Sequence, residues 1–78
     1  SKKRLENTIV AGESGGGLVR IELDGNRKLK SLQINTSIKE MEKEDLEDLL
    51  TVALDRAIEE ANKINEEEVS ARQFIPGL

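Results

Sequence analysis

The chain has 78 residues, no Cys, His, Trp or Tyr, a single Phe, and a formal net charge of −4. That length accommodates one domain. Without His and Cys the usual metal ligands, the commonest general base and any thiol nucleophile are missing, which excludes most metal and covalent chemistry and leaves a non-enzymatic protein with no cofactor as the expectation.

Residues 1–7 read as the end of an N-terminal helix, too short to be stable alone. Residues 8–34 read as a three-stranded antiparallel sheet. The first strand, over 8–13, carries β-branched Thr8, Ile9 and Val10 and runs into a glycine cluster. The second, over 18–23, alternates, with Val19, Ile21 and Leu23 on one face and Arg20 and Glu22 on the other. Asp24-Gly25-Asn26 reads as a hairpin turn, because Gly and Asn tolerate positive φ. The third strand, over 27–34, breaks its period of two between Leu29 and Leu32, and a bulge near Lys30-Ser31 restores the phase with Ile34.

Residues 35–42 form a connector in which Ser37-Ile38-Lys39-Glu40 has the pattern of a capping box over one helical turn. A long helix is predicted over 43–73. Six acids between Glu40 and Asp48 sit at its start, where the macrodipole favours them. Leu46, Leu49, Leu50, Ala53, Leu54, Ala57, Ala61, Ile64 and Ala71 fall on one arc of about 140°. Such a helix is roughly 45 Å long and outruns a three-stranded sheet, so its second half is expected to project. Ala53, Ala57, Ala61 and Ile64 are then the candidate dimerisation residues, in a chain whose small core points to a homodimer. Alanine as a plain helix former explains the same stripe. Residues 74–78 form a tail, frayed or latched, since Pro76 cannot continue the helix.

Charge is unevenly spread. Residues 1–39 hold eight basic side chains against four acids, and residues 40–78 hold four against twelve. A solvated acidic helix beside an ordinary sheet accounts for this, and so does a basic surface for an anionic partner. No apolar run approaches the about 18 residues of a membrane span, and no signal-peptide core is present, so the cytoplasm is the expected compartment. Ser1 in place of Met reads as processing or trimming.

The run Gly12-Glu13-Ser14-Gly15-Gly16-Gly17 has the outer spacing of a phosphate loop. Leu18 and Val19 stand where Lys and Ser/Thr are needed, however, and a strand follows where a helix is needed, so nucleotide binding is excluded. With Leu18-Val19 the run reads G-E-S-G-x-G-x-V and resembles the YbaB/EbfC family of bacterial nucleoid-associated proteins. Gly25-Asn26-Arg27-Lys28 before a strand, Ile34 leading to Ser37-Ile38, Leu46-Glu47-Asp48-Leu49 opening a long helix, and Pro76-Gly77 follow in the same order. The resemblance covers nearly the whole chain from Asn7. It implies an α+β fold of helix, three-stranded antiparallel sheet and second helix, paired as a homodimer. It also implies no enzymatic activity, and a cytoplasmic, nucleoid-located protein that binds duplex DNA with low sequence specificity and influences nucleoid organisation or gene expression. The family's N-terminal helix is several turns longer and rich in Lys, whereas Lys2-Lys3-Arg4-Leu5-Glu6 stands here; the chain is a short member or a cut one.

The DNA-binding candidates are Lys2, Lys3 and Arg4 at the N-terminus, Arg27, Lys28 and Lys30 around the third strand, and Lys63 and Arg72 near the helix end. Solubilising charge on an edge strand competes for the middle group, and the glutamates at 66–68 count against the last. No aromatic side chain on the strands offers a stacking platform, which argues against single-stranded or RNA ligands. The second reading is a dimeric interaction module that docks a protein partner through the acidic, Ala-striped helix.

Overall fold

The structure, a computed structural model, describes residues 2–73, with side chains from residue 4 to residue 66. The tail expected at 74–78, and the side chains of Lys2, Lys3, Ala71 and Arg72, lie outside the described residues. The elements are α1 (Lys2–Glu6), β1 (Ile9–Ser14), β2 (Val19–Asp24), β3 (Leu29–Ile34) and α2 (Lys43–Gln73). This is the α+β order that the periodicities predict.

The strands form an antiparallel sheet in the order β1-β2-β3. Ser14 pairs with Val19 across the first hairpin, and Gly15, Gly16 and Gly17 in its loop all have positive φ, a conformation that only glycine adopts without strain. In the second pair Glu22 faces Ser31 while Leu23 faces Leu29, so Lys30 is the extra residue of a bulge. The broken period at this point required it. With the phase restored, Leu29, Leu32 and Ile34 share a face with Leu23, Ile21 and Val19, because directly opposed residues project to the same side.

Helix α2 packs on that face, over β1 and then β2. Its path explains a contrast along the apolar row: Val19, Ile21 and Leu23 are at most 3% exposed, whereas Leu29 is 55% and Leu32 47% exposed. The helix seals β2 and leaves the same face of β3 open.

Close packing of α2 on β1 depends on small residues. A Cβ on Gly12 would fall on the Ala53 carbonyl and the Ala57 amide, so strand and helix backbones meet here with no side chain between them. Ser14 Oγ donates to the Leu49 carbonyl at 2.6 Å, and Arg56 Nη1 donates to the Glu13 carbonyl at 2.6 Å. Ala53, Ala57 and Ala61 are fully buried within the protomer. The expectation that Ala57 and Ala61 stand bare in a monomer is therefore overturned: a long helix laid antiparallel to β1 reaches the whole length of that strand. Ile64, one turn further on, is half-buried.

Three local expectations also change. Arg27 has φ +67° while Gly25 and Asn26 do not have positive φ, so the left-handed residue of the β2–β3 turn is Arg27. The turn is a three-residue loop in which the Arg27 amide donates to the Asp24 carbonyl at 2.9 Å and the Asp24 amide to the Lys28 carbonyl at 2.9 Å. β3 consequently begins at Leu29 and not at 27. In the connector, the Met41 amide closes one turn on the Ile38 carbonyl at 3.3 Å, without a helix.

Candidate nucleic-acid interface

The β2–β3 turn is built around Asp24, which is 1% exposed. Its Oδ1 accepts from the amides of Asn26 at 2.8 Å and Lys28 at 3.0 Å, so the carboxylate supplies the acceptors that a tight turn leaves wanting. Its Oδ2 lies 3.9 Å from Lys30 Nζ. Satisfied in this way, the buried acid shapes the turn and presents no free negative charge.

Two elements grip the turn from outside. The Gly25 amide donates to the Leu5 carbonyl at 2.8 Å, and a Cβ at Gly25 would stand only 2.8 Å from that oxygen, which fixes the end of α1 against the loop. From α2, Asn65 Nδ2 donates to the Gly25 carbonyl at 2.7 Å, and Asn62 Oδ1 accepts from Arg27 Nε at 2.8 Å. Three segments distant in sequence therefore meet at one end of the sheet.

That meeting gathers most of the described basic candidates. Arg4 is exposed on α1, Arg27 and Lys28 are exposed in the turn, and Lys30 is exposed at the bulge. Lys63, next to Asn62, is exposed and lies 3.1 Å from Glu60 Oε1. A pair as open as this is a weak competitor for the ammonium group. Asn62 and Asn65 were not singled out from the sequence. Their signal was there: they follow Ile58 and Ala61 at four-residue spacing and put amides where the apolar side of α2 would otherwise continue.

Two other parts of the described surface are less suited to an anion. Arg20, on the solvent face of β2, is held by Glu13 at 2.8 Å and Glu22 at 3.1 Å. Hydrogen bonding to Glu13, then to Glu22, pushes its pKa above the ordinary arginine value, and its charge is matched locally. At the other end of the sheet, Ser14 and Leu49 meet beside the first hairpin. There Glu40, Glu42 and Asp45 line a shallow open cleft with Thr36, Ser37 and Met41. Strands of six residues separate the two ends by about 20 Å, so the basic end lies beyond a Debye length from most of these acids at physiological salt.

An apolar strip runs between the ends. Leu29 and Leu32 of β3 are open on the helix side of the sheet, and Leu54 of α2 is 41% exposed. Ile58 is half-buried and packs against the core. Leu54, Ile58 and Asn62 follow one another at four-residue spacing on α2, and Asn62 reaches the β2–β3 turn, so this flank of the helix borders β3.

The YbaB/EbfC DNA-binding family model matches residues 1–73. A nucleoid-associated protein of Flavobacterium johnsoniae is 44% identical over all of this chain and 74% of its own length. One of Hahella chejuensis is 42% identical over 85% of this chain and 61% of its own, and one of Chlorobium phaeovibrioides 38% identical over 88% and 62%. The chain thus spans less than two thirds of the latter two relatives. Among solved structures, that of an uncharacterized protein from Helicobacter pylori superposes with a TM-score of 0.78 at 27% identity, covering 95% of this chain and 77% of that one.

Proposed function

The chain belongs to the YbaB/EbfC DNA-binding family, a family of nucleoid-associated proteins and not of enzymes, and we propose that it binds duplex DNA as a homodimer through the basic end built on the β2–β3 turn. The observation that carries this reading is the convergence of Arg4, Arg27, Lys28 and Lys30 around one turn gripped by α1 and α2, with Lys63 on the stretch of α2 that reaches it. Lys2 and Lys3 precede Arg4 on α1 and add charge to the same terminus. Arg72, one residue before the end of α2, belongs to the same proposal as a phosphate contact.

The chemistry is that of backbone recognition. Guanidinium and ammonium groups neutralise phosphates and release condensed counterions, which supplies affinity that is steeply salt-dependent and indifferent to sequence. Arg27 and Lys28 lie on a turn, Lys30 at a bulge and Arg4 on the short α1, positions suited to phosphates more than to base edges in a groove. Low sequence specificity follows. The acidic cleft region turns DNA away from the opposite end and orients the protein on the duplex.

Dimerisation completes the site by doubling it. The apolar strip of Leu29, Leu32, Leu54 and Ile58 is the surface a second copy covers, and the half-buried Ile64, further along α2 on the side of Ala57 and Ala61, remains a further candidate. Ala53, Ala57 and Ala61 contribute indirectly, by seating the helix so that this flank is presented. The relatives are named nucleoid-associated proteins, and by the same reading this protein resides in the cytoplasm on the nucleoid and influences DNA organisation or gene expression.

Titrating duplex DNA at several salt concentrations, with the oligomeric state measured alongside, tests the reading. A dimer whose affinity falls steeply with salt supports it. Absence of binding at low salt in a protein of the relatives' full length overturns it.

A further inference from the structure

We infer that Asn62 of α2 is a positioning residue for DNA binding, which holds the Arg27 guanidinium in a fixed direction on a turn that Asn65 anchors. The inference rests on the duplex-DNA reading of this turn and adds a residue that carries no charge and touches no phosphate.

The geometry has three parts. Asn65 Nδ2 donates both to the Gly25 carbonyl at 2.7 Å and to the Ala61 carbonyl of its own helix at 2.8 Å. Both amide protons are used, so the side chain is a rigid link between the turn backbone and the helix. Arg27 sits in the left-handed region at φ +67°, which few non-glycine residues occupy and which is retained where surrounding contacts demand it. Asn62 Oδ1 accepts from Nε of the same Arg27 at 2.8 Å. A guanidinium has five donors in a plane, and a bond at Nε consumes one while orienting the two terminal nitrogens, the edge that engages a phosphate.

Asn65 ties the turn to the helix, whereas the bond of Asn62 to Arg27 is solvent-exposed and holds a side chain and not the backbone. Its consequence is entropic: an arginine already held in one rotamer loses less freedom when it meets DNA, the general advantage of a preorganised contact.

The experiment is a duplex-DNA titration across a salt series with the full chain and the variants Asn62→Ala, Arg27→Lys, Arg27→Ala and the double variant Arg27→Ala with Asn62→Ala. Circular dichroism melts confirm that each variant folds. Asn62→Ala is expected to weaken binding about fivefold at every salt concentration with an unchanged log–log slope, since no charge is lost. Arg27→Lys, which keeps the charge and loses the Nε donor, is expected to do the same. Arg27→Ala is expected to flatten the slope by about 0.9 per protomer. In the Arg27→Ala background, Asn62→Ala is expected to cost nothing further, which a merely structural role would not produce. Wild-type affinity for Asn62→Ala beside a weakened Arg27→Ala overturns the positioning role and leaves the DNA reading standing. Equal losses from Asn62→Ala with and without Arg27 also overturn it. Wild-type affinity and slope for Arg27→Ala overturn the placement of DNA on this turn, and the inference with it.

Discussion

At the scale of single residues, the fold turns on two positions that sequence pattern assigns to loops and strands without saying why they are there. Gly12 sits in a glycine-rich run, and the run suggests a flexible connection. Only the three glycines at 15–17 serve that purpose, through their positive φ, whereas Gly12 is the point where β1 and α2 touch backbone to backbone. Gly12→Ala forces the two apart and is expected to destabilise the protein by about 1–3 kcal/mol, read from the denaturant midpoint. Asp24 looks like an ordinary turn acid, yet it is buried and accepts two turn amides. Asp24→Ala leaves those amides without an acceptor and is expected to cost about 1–3 kcal/mol, with the loss seen in the same denaturation curve. Composition and pattern cannot reach either role, because both depend on what lies opposite in space. The left-handed Arg27 was equally hidden: Gly25 and Asn26 beside it are the statistically favoured bearers of positive φ, and a tertiary bond to Asn62 accompanies a different choice.

At the scale of elements, periodicity carried further. The alternation of Val19, Ile21 and Leu23 specified the buried face, and the broken period between Leu29 and Leu32 required the bulge found at Lys30. Long α2 was legible from its apolar arc and acidic start, and it runs over Lys43–Gln73. What periodicity does not say is which strands a helix covers. An apolar face belongs equally to β1, β2 and β3, and the choice of β1 and β2 rests on the small residues Gly12, Ala53 and Ala57 that let backbones approach. The Ala stripe is therefore used inside the protomer, and the uncovered apolar surface moves to β3 and the neighbouring flank of α2. Leu29→Asp with Leu32→Asp, both on exposed sites, is expected to convert the proposed dimer to a monomer in sedimentation equilibrium while far-UV circular dichroism keeps its helical signal. A dimer that persists unchanged would place the interface elsewhere.

At the scale of the whole molecule, the net charge of −4 conceals a gradient from an acidic connector end to a basic turn end. The split between the halves of the chain anticipated it only in part. Lys63 lies in the acidic half of the sequence yet on the stretch of α2 that reaches the turn, because α2 runs antiparallel to β1. Arg20 lies in the basic half and is neutralised by Glu13 and Glu22. Spatial position, and not sequence segment, decides which cations are available to an anion. The family match names DNA as the anion, and the proposal sets it against the basic end.

The measurement that bears most directly on this account is the salt dependence of duplex-DNA affinity for the full chain beside a variant carrying Arg27→Ala, Lys28→Ala and Lys63→Ala. Removing these three cations, proposed to meet phosphates, from each protomer is expected to reduce the log–log slope by about 2.7 per protomer and to weaken binding by at least roughly tenfold at low salt. An unchanged slope and affinity in a folded, dimeric triple variant would contradict the claim that this end of the molecule holds DNA.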